Sequence, residues 1–177
     1  MSVGLVGSEM CIRDREEIGL ADAPESGVKA MTSVGAILGE DGRIRFPREL
    51  VEKTLSYAAR DFTLHSRSNK NSLLLEKNRV HYGTAGAAVH VVDLETNDYR
   101  DSTVSDLFAA AKLSDHLDNI HFLQRPMICR DITDNFEMDL NTVFACCAGT
   151  SKHVGVSFTE ASYVKPIMEM VHILSGC

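Results

Sequence analysis

Apolar and polar positions follow two different periods between residues 119 and 158. The apolar runs at 119–126 and 152–158 have the length of short strands, and the segment between them repeats apolar side chains every three or four residues, as a helix does. The helical positions are Phe136, Leu140, Val143, Phe144 and Cys147. Two strands joined by a helix form a βαβ unit, so this stretch predicts two parallel strands.

The second run carries different side chains on its two faces, because successive strand residues point to opposite sides. One face is apolar and consists of Val154, Val156 and Phe158. The other face is small and polar and consists of His153, Gly155 and Ser157. Helices cover the outside of a parallel sheet, so we expect the apolar face to meet helices and the polar face to look inward.

Polar residues follow the ends of both predicted strands, which is where α/β folds place their sites. Gln124 and Arg125 end the first run, and Ser157 and Thr159 end the second. These residues are therefore candidates for a site. The pattern leaves a second interpretation open, in which Gln124 and Arg125 begin a solvated loop.

Shorter elements precede this stretch. The Asp41-Gly42 pair predicts a hairpin turn at 40–43, followed by a short strand at 43–46. Pro47 is suited to the first turn of a helix, and short strands are expected at 61–65 and 73–75. We therefore assign residues 16–78 to a small α+β N-terminal region.

Strands and helices alternate from residue 79 to residue 177. We expect a strand at 87–94, a helix that Ser102 or Thr103 caps with Asp106 in a capping box, and a last helix at 163–174. Two or three parallel strands leave both sheet edges open, and a (β/α)8 barrel takes roughly 250 residues. The prediction is an α/β fold in which residues 79–177 form the first βα units of an incomplete (β/α)8 TIM barrel.

The first fifteen residues do not fit this organisation. Residues 4–15 show neither a helical period nor strand alternation, and residues 10–14 resemble the translation of a sequencing adapter. We expect residues 1–15 to be an adapter-like, non-native segment. A disordered natural N-terminus is the alternative.

Composition excludes several classes of function. The net charge of −7 argues against nucleic acid as a partner, and no apolar run approaches the about 20 residues of a membrane span. The five cysteines are an odd number without a CxxC pair, so we expect free thiols in a reducing cytoplasm and no zinc site. The small residues at 83–86 allow close backbone approach but do not form a nucleotide-binding GxGxxG motif.

Seven runs, taken together and in order, resemble one family. They are residues 45–52, 62–65, 82–86, 92–96, 117–121, 138–141 and 151–158. The family is that of the trimethylamine methyltransferases, the corrinoid-dependent amine methyltransferases, and the resemblance extends from about residue 16 to residue 177. It identifies the chain as an N-terminal fragment.

The resemblance implies a (β/α)8 barrel that transfers a methyl group from a methylated amine, of the trimethylamine or glycine betaine type, to the cobalt of a corrinoid protein. The corrinoid (cobalamin) is then carried by a partner protein, and none is bound by this chain itself. We expect a cytoplasmic enzyme, as the free thiols indicate, and an oligomeric full-length protein stays open. The pyrrolysine position of some members lies beyond residue 177, and the sequence is closer to the branch without pyrrolysine.

The sequence identifies no catalytic residue, but it offers candidates for substrate binding. A quaternary cation is held by aromatic faces and carboxylates, and the chain offers Tyr82, Phe122 and Asp93 near its predicted strands. Of these, Tyr82 is the candidate for substrate binding. Gln124 and Arg125 could bind a substrate carboxylate, which would favour glycine betaine over trimethylamine. The candidate set consists of Tyr82, Thr84, Gln124, Arg125 and Ser157.

Two alternatives stay open. The chain could be a truncated product that cannot close its barrel and does not turn over. It could also be a metal-assisted barrel hydrolase in which His121, His153 and Cys129 share a metal ion. The absence of a carboxylate at matching spacing weighs against the hydrolase, and we expect no metal site.

Overall fold

The computed structural model describes residues 3–68 and 70–176, with side chains from residue 9 onward. Contacts divide the chain into two compact units, Met1–Ala59 and Arg60–Cys177. The division falls before two short strands that the sequence analysis grouped with the N-terminal region. Within the described residues, no helix has both the length and the apolar character needed to cross a membrane.

The first unit consists of three helices and a hairpin. The helices are α1 (Val3–Glu17), α2 (Glu25–Ser33) and α3 (Arg48–Tyr57), and the hairpin strands are β1 (Ile37–Leu38) and β2 (Ile44–Arg45). The hairpin turn predicted at 40–43 is confirmed, because Gly39 N–H donates to the Arg43 carbonyl and β1 pairs antiparallel with β2. Ile44 is fully buried and exchanges two main-chain hydrogen bonds with Leu20.

The expectation that the first fifteen residues lack a regular element is wrong, since α1 covers most of them. The segment contains no proline and needs little periodicity, because most of its described side chains are exposed. Ile12 is buried, and the Phe46 N–H donates to the Arg15 carbonyl at 3.0 Å. The adapter-like origin of residues 1–15 stays a prediction.

The second unit contains the remaining elements. Its strands are β3 (Phe62–Leu64), β4 (Leu73–Leu75), β5 (His90–Val92), β6 (Tyr99–Asp101), β7 (Phe122–Gln124) and β8 (His153–Gly155). Its helices are α4 (Val104–His116), α5 (Asn135–Gly149) and α6 (Val164–Leu174), with a 3-10 turn at Ala161–Tyr163. Strands β3 and β4 pair antiparallel, as do β5 and β6.

The predicted βαβ unit is confirmed. Strands β7 and β8 are parallel, with Leu123 opposite Val154, and α5 connects them. Gly83 forms a further parallel bridge to Phe122, and Ala88 forms one to Met127. Because Phe122 pairs with both Gly83 and His153, these two neighbours lie on opposite edges of β7. The described chain is therefore an α/β fold with three parallel segments in the order of the sequence.

The core lies between this parallel sheet and its helices. Its buried cluster consists of Leu107, Ala111, Leu123, Cys129, Ala145 and Cys146. Val154 and Val156 pack against the cluster, which confirms that the apolar face of β8 meets helices. Thr103 caps α4 in a capping box with Asp106, as one of the two predicted caps.

Candidate functional site

Hydrogen bonds bring three segments together at the carboxyl end of the parallel sheet. The Thr84 hydroxyl donates to the Gln124 carbonyl at 2.5 Å. The Arg125 N–H donates to the Gly155 carbonyl at 3.0 Å. Thr84, Gln124, Arg125 and Gly155 therefore lie at the same end of three neighbouring segments, as the strand pattern predicts.

Gly155 makes room for the side chain of Gln124. A Cβ atom on Gly155 would lie 2.1 Å from the Gln124 Oε1, far closer than any real contact. The amide of Gln124 thus lies over the backbone of β8, on the face opposite Leu123 and the core. This face presents a neutral amide that can both donate and accept a hydrogen bond.

A second glycine has a similar role one segment away. A Cβ atom on Gly83 would lie 2.4 Å from atoms of the Phe122 ring. Phe122 and Gln124 are two residues apart in β7, so they point to the same face of the sheet. The two glycines therefore allow an aromatic ring and an amide to lie close to neighbouring backbones.

Ser157 is exposed and follows β8 by two residues. Since Val156 packs against the core, alternation places Ser157 on the same face as Gly155 and Gln124. Its position is consistent with the predicted polar face.

Arg125 directly follows β7, which ends at Gln124. Its side chain is half-buried. Burial raises the pKa of the Cys129 and Cys146 thiols, and the positive charge of Arg125 opposes that rise. Both cysteines belong to the core cluster. The clamp that Gln124 and Arg125 would form around a substrate carboxylate stays a prediction.

Tyr82 lies at the amino end of β7 and not with the carboxyl-end group. Its N–H donates to Nδ1 of His121 at 2.9 Å, and the His121 N–H donates to the Tyr82 carbonyl at 2.7 Å. The two rings stack with centroids 6.2 Å apart, and Tyr82 is 64% exposed. This arrangement joins two neighbouring segments and leaves one face of the phenol ring in water.

The three residues of the metal hypothesis do not converge. Nδ1 of His121 accepts the Tyr82 N–H, and Nδ1 of His153 lies 2.8 Å from the His65 carbonyl oxygen. Cys129 lies in the core, where the Thr142 hydroxyl donates to its sulfur at 3.5 Å. Across residues 3–68 and 70–176, no group of three or more His, Cys, Asp or Glu side chains is placed to hold a metal ion.

The described cysteines Cys11, Cys129, Cys146 and Cys147 are free thiols, as expected. Burial raises the pKa of Cys129 and of Cys147, and it raises the pKa of Cys146 to about 12. A thiol with a raised pKa stays protonated and is a poor nucleophile. The buried cysteines are therefore packing residues.

The sequence analysis did not identify the hydrogen bonds that Lys152 forms. The residue is buried, and its ammonium group donates hydrogen bonds to three main-chain carbonyls in the last turn of α4 and in the segment that follows it. The acceptors are Ser114 at 2.7 Å, Leu117 at 2.8 Å and Ile120 at 2.6 Å. A cation is favourable there because the carbonyl end of a helix carries partial negative charge.

Asp115 of α4 also binds the segment that precedes β8. Its Oδ1 accepts hydrogen bonds from the Thr150 hydroxyl and from the Ser151 N–H, both at 2.7 Å. Burial opposes the charge of this carboxylate, but these hydrogen bonds and the nearby Lys152 together keep its pKa below the usual value. The residues that precede β8 are thus fixed to α4, which sets the position of Gly155 further along.

A buried carboxylate fixes the segment beyond β8 as well. Asp139 of α5 accepts hydrogen bonds from the N–H of Thr159 at 2.6 Å and from its hydroxyl at 3.2 Å. Asp139 and Lys152 both lie in runs that carried the family resemblance. Such residues position the strand ends and do not themselves face the open side of the sheet.

Comparison with known proteins gives one consistent result. The family model described as trimethylamine methyltransferase (MTTB) matches residues 11–177. A trimethylamine methyltransferase MttB from Desulfitobacterium hafniense is 26% identical over 133 residues, which cover 75% of this chain and 27% of that protein. MttB from Methanosarcina barkeri is 31% identical over 113 residues, covering 62% of this chain and 23% of that protein. The chain therefore spans about a quarter of the length of these curated relatives.

Proposed function

The chain belongs to the trimethylamine methyltransferase family, and we propose that the protein carrying it transfers a methyl group from a methylated amine to the cobalt of a corrinoid protein. The main support for this proposal is the family match over residues 11–177. Relatives that are named trimethylamine methyltransferases give further support. A transferase in the cytoplasm also suits the free thiols of the chain.

We propose that residues 79–177 form the first βα units of a (β/α)8 barrel. The support is the parallel order of three segments, with helices against one face and polar groups at the carboxyl ends. In barrels of this kind the active site lies at the carboxyl ends of the strands. The group formed by Thr84, Gln124 and Gly155 would then be part of the substrate site.

The corrinoid of the partner would supply the nucleophilic cobalt, the bond between the methyl carbon and the nitrogen would break, and the demethylated amine would leave. The residues of this chain would then serve to bind and orient the amine. Gln124 is suited to that task, because its amide lies on the open face and carries both a donor and an acceptor. The Thr84 hydroxyl donates a hydrogen bond to the main-chain carbonyl of Gln124, which fixes the backbone that carries the amide side chain. A carboxylate clamp formed by Gln124 and Arg125 would favour glycine betaine over trimethylamine.

The test is methyl transfer by the protein that carries this segment. Trimethylamine and glycine betaine are supplied separately with reduced cobalamin, and methylcobalamin formation is followed by absorbance. We expect transfer from one of the two amines and a loss of about tenfold or more in kcat/KM for Gln124→Ala. Absence of transfer from any methylated amine would contradict the proposed function.

The 177-residue chain alone is expected to be inactive. Its three parallel segments leave the sheet with unpaired edges, and the remaining loops of a barrel site are not supplied by the described residues. The same assay on the isolated chain tests this expectation. Turnover by the isolated chain would show that a closed barrel is not required.

A further inference from the structure

The connection between β8 and α6 is held to α5 at two points. The N–H and the hydroxyl of Thr159 both donate to the carboxylate of Asp139, at 2.6 and 3.2 Å. Further along, the ring of Tyr163 meets the ring of Phe136 edge to face, with the centroids 5.2 Å apart. Phe136 and Asp139 are three residues apart in α5, so they lie on one side of the helix. The first turns of α5 therefore set the course of residues 156–163.

The helix that carries these two residues is itself fixed. Its N-cap residue Asp134 accepts a hydrogen bond from the Glu137 N–H at 2.9 Å. Later in the same helix, Ala145 and Cys146 belong to the buried core cluster. Asp139 therefore holds the connection against a support that is anchored at its start and in the core.

Ser157 lies between two bonded points of the chain. Before it, the Gly155 carbonyl accepts a hydrogen bond from the Arg125 N–H at 3.0 Å. After it, Thr159 is bound by Asp139. Val156 packs against the core in between. The main chain at Ser157 is therefore fixed from both sides, and Asp139 provides the bond on the far side.

The burial of Asp139 indicates a specific role for its carboxylate. The residue is 2% exposed, and removing a carboxyl group from water is costly unless hydrogen bonds compensate for the loss. An apolar residue would pack in such a place without that cost, and a buried polar group can instead select one conformation of the chain. Both bonds of Asp139 to Thr159 reach outside α5, so the conformation they select is that of the connection after β8.

We infer that Asp139 is a positioning residue for the proposed reaction, which acts through Thr159 to hold Ser157 where its hydroxyl contacts the methylated amine. The inference rests on the proposed function, which places the substrate site at the carboxyl ends of the strands. Asp139 does not touch the substrate in this arrangement. Its contribution is the fixed path of the main chain that carries Ser157.

The first experiment tests the structural step without an assay of activity. Hydrogen exchange of the Thr159 amide is measured in the protein that carries this segment. Asp139→Ala removes the acceptor, so exchange should become about tenfold faster or more. Asp139→Asn should keep the amide protected, because its side-chain oxygen accepts from the Thr159 N–H and its side-chain nitrogen donates to the Thr159 hydroxyl. Equal exchange in the unsubstituted protein and in Asp139→Ala would contradict the inference.

The second experiment measures methyl transfer from the amine to free reduced cobalamin. Asp139→Ala should lower kcat/KM about tenfold or more, mainly through a higher KM for the amine, because a misplaced binding group weakens the hold on the substrate. Asp139→Asn should return kcat/KM to within about threefold of the unsubstituted protein. A mere loss of stability would not produce this division between KM and kcat.

The matched control is Thr142→Ala in the same helix. Thr142 is as deeply buried as Asp139, but its hydroxyl donates to the Cys129 sulfur and not to the connection after β8. This variant should lose stability while its KM stays within about twofold. A rise in KM of the same size in Thr142→Ala and Asp139→Ala would show that Asp139 acts through stability alone and would overturn the inference.

Two further variants keep the test decisive. In a Ser157→Ala background, Asp139→Ala should raise KM little further, and fully additive losses would refute the action through Ser157. If Asp139→Ala does not fold, Thr159→Ala removes only the hydroxyl donor from an exposed residue and should raise KM about threefold. An unchanged KM in that variant would count against the inference.

Failure of the proposed function has a different signature. Absence of transfer by the unsubstituted protein would overturn the proposed function and, with it, the role of Asp139 in the reaction. Exchange of the Thr159 amide would still decide whether Asp139 fixes the connection. Transfer by the unsubstituted protein with an unchanged KM in Asp139→Ala would overturn the positioning role alone.

Discussion

The side-chain amide of Gln124 lies across the backbone of Gly155, so close that a Cβ atom there would come within 2.1 Å of Oε1. The two residues face each other in the register of β7 and β8. In this parallel pair of strands, the side chain of Gln124 occupies the space that a side chain at position 155 would need. The amide is the group that the proposed function assigns to substrate binding.

Gly155→Ala should therefore displace Gln124. The obstructing atom is the far end of a flexible side chain, so the amide can rotate away at a cost of about 1–2 kcal/mol in unfolding free energy. The cost should largely disappear in a Gln124→Ala background, because the obstruction is then absent. Denaturant unfolding of the single and double variants measures this coupling.

The matched control is Gly27→Ala in α2, where a Cβ atom meets only Pro24 at ordinary contact distances. Alanine is a better helix former than glycine, so this variant should gain about 0.5–1 kcal/mol. Equal losses for Gly155→Ala with and without Gln124 would contradict the contact between the two side chains.

The strand pattern predicted this part of the molecule well. Alternation placed Val154 and Val156 against helices, and the polar residues after each strand met at one end of the sheet. The pairing of Gln124 with Arg125 in one clamp stays a prediction, because β7 ends at Gln124 and alternation does not extend to Arg125.

The pattern of apolar and polar residues did not indicate strand β6 or the hydrogen bonds of Lys152. Strand β6 contains Arg100 and Asp101 and shows no apolar alternation. Arg100 pairs with Asp93 at the turn and with Asp106 at the start of α4. Lys152 binds main-chain carbonyls, which leave no trace in the side chains of α4. Long-range polar contacts of this kind are decided by the fold and not by local periodicity.

Lys152→Met should destabilise the protein strongly. The substitution keeps the aliphatic stem but removes three charge-assisted hydrogen bonds and leaves the carbonyls of the α4 end without these donors. Loss of a buried charged donor costs about 3 kcal/mol. The change in unfolding free energy, measured by urea titration, checks this value.

The control for Lys152 is Lys165→Met, at an exposed lysine in α6. Surface substitutions of this type change stability by about 0.5 kcal/mol or less. If Lys152→Met cost no more than Lys165→Met, the ammonium group would not be fastening the residues before β8 to α4.

Arg100 of β6 donates hydrogen bonds to Asp93 and to Asp106, and these bonds should make the β5–β6 hairpin sensitive to acid. The hydrogen bonds with Arg100 hold the pKa of Asp106 below its ordinary value, so the stability they contribute is present above that value. This stability is lost as the pH falls below about 4, where an unperturbed aspartate takes up its proton. The pair is partly exposed and screened, so Asp106→Asn should cost about 1 kcal/mol at neutral pH.

Hydrogen exchange of the β5–β6 amides between pH 7 and pH 3 measures this effect, corrected for the intrinsic rate. The unsubstituted protein should lose protection in the hairpin before it loses protection in α5. The Asp106→Asn variant should show less additional loss at low pH, because the titrating group is already neutral. A hairpin equally protected in both proteins at every pH would contradict the role of Asp106.

The cysteines should separate into two classes of reactivity. Cys11 is exposed, whereas Cys129 and Cys146 are fully buried and burial raises the pKa of Cys146 to about 12. Iodoacetamide should therefore modify Cys11 in the native protein and reach Cys129 and Cys146 only on unfolding, as peptide mapping would show.

The folded state holds the Cys146 proton more tightly than the unfolded state, so stability should fall as the pH rises above about 8.5. Cys146→Ala should reduce this alkaline loss, and modification of Cys146 as fast as that of Cys11 would show that the core between α5 and the sheet opens readily.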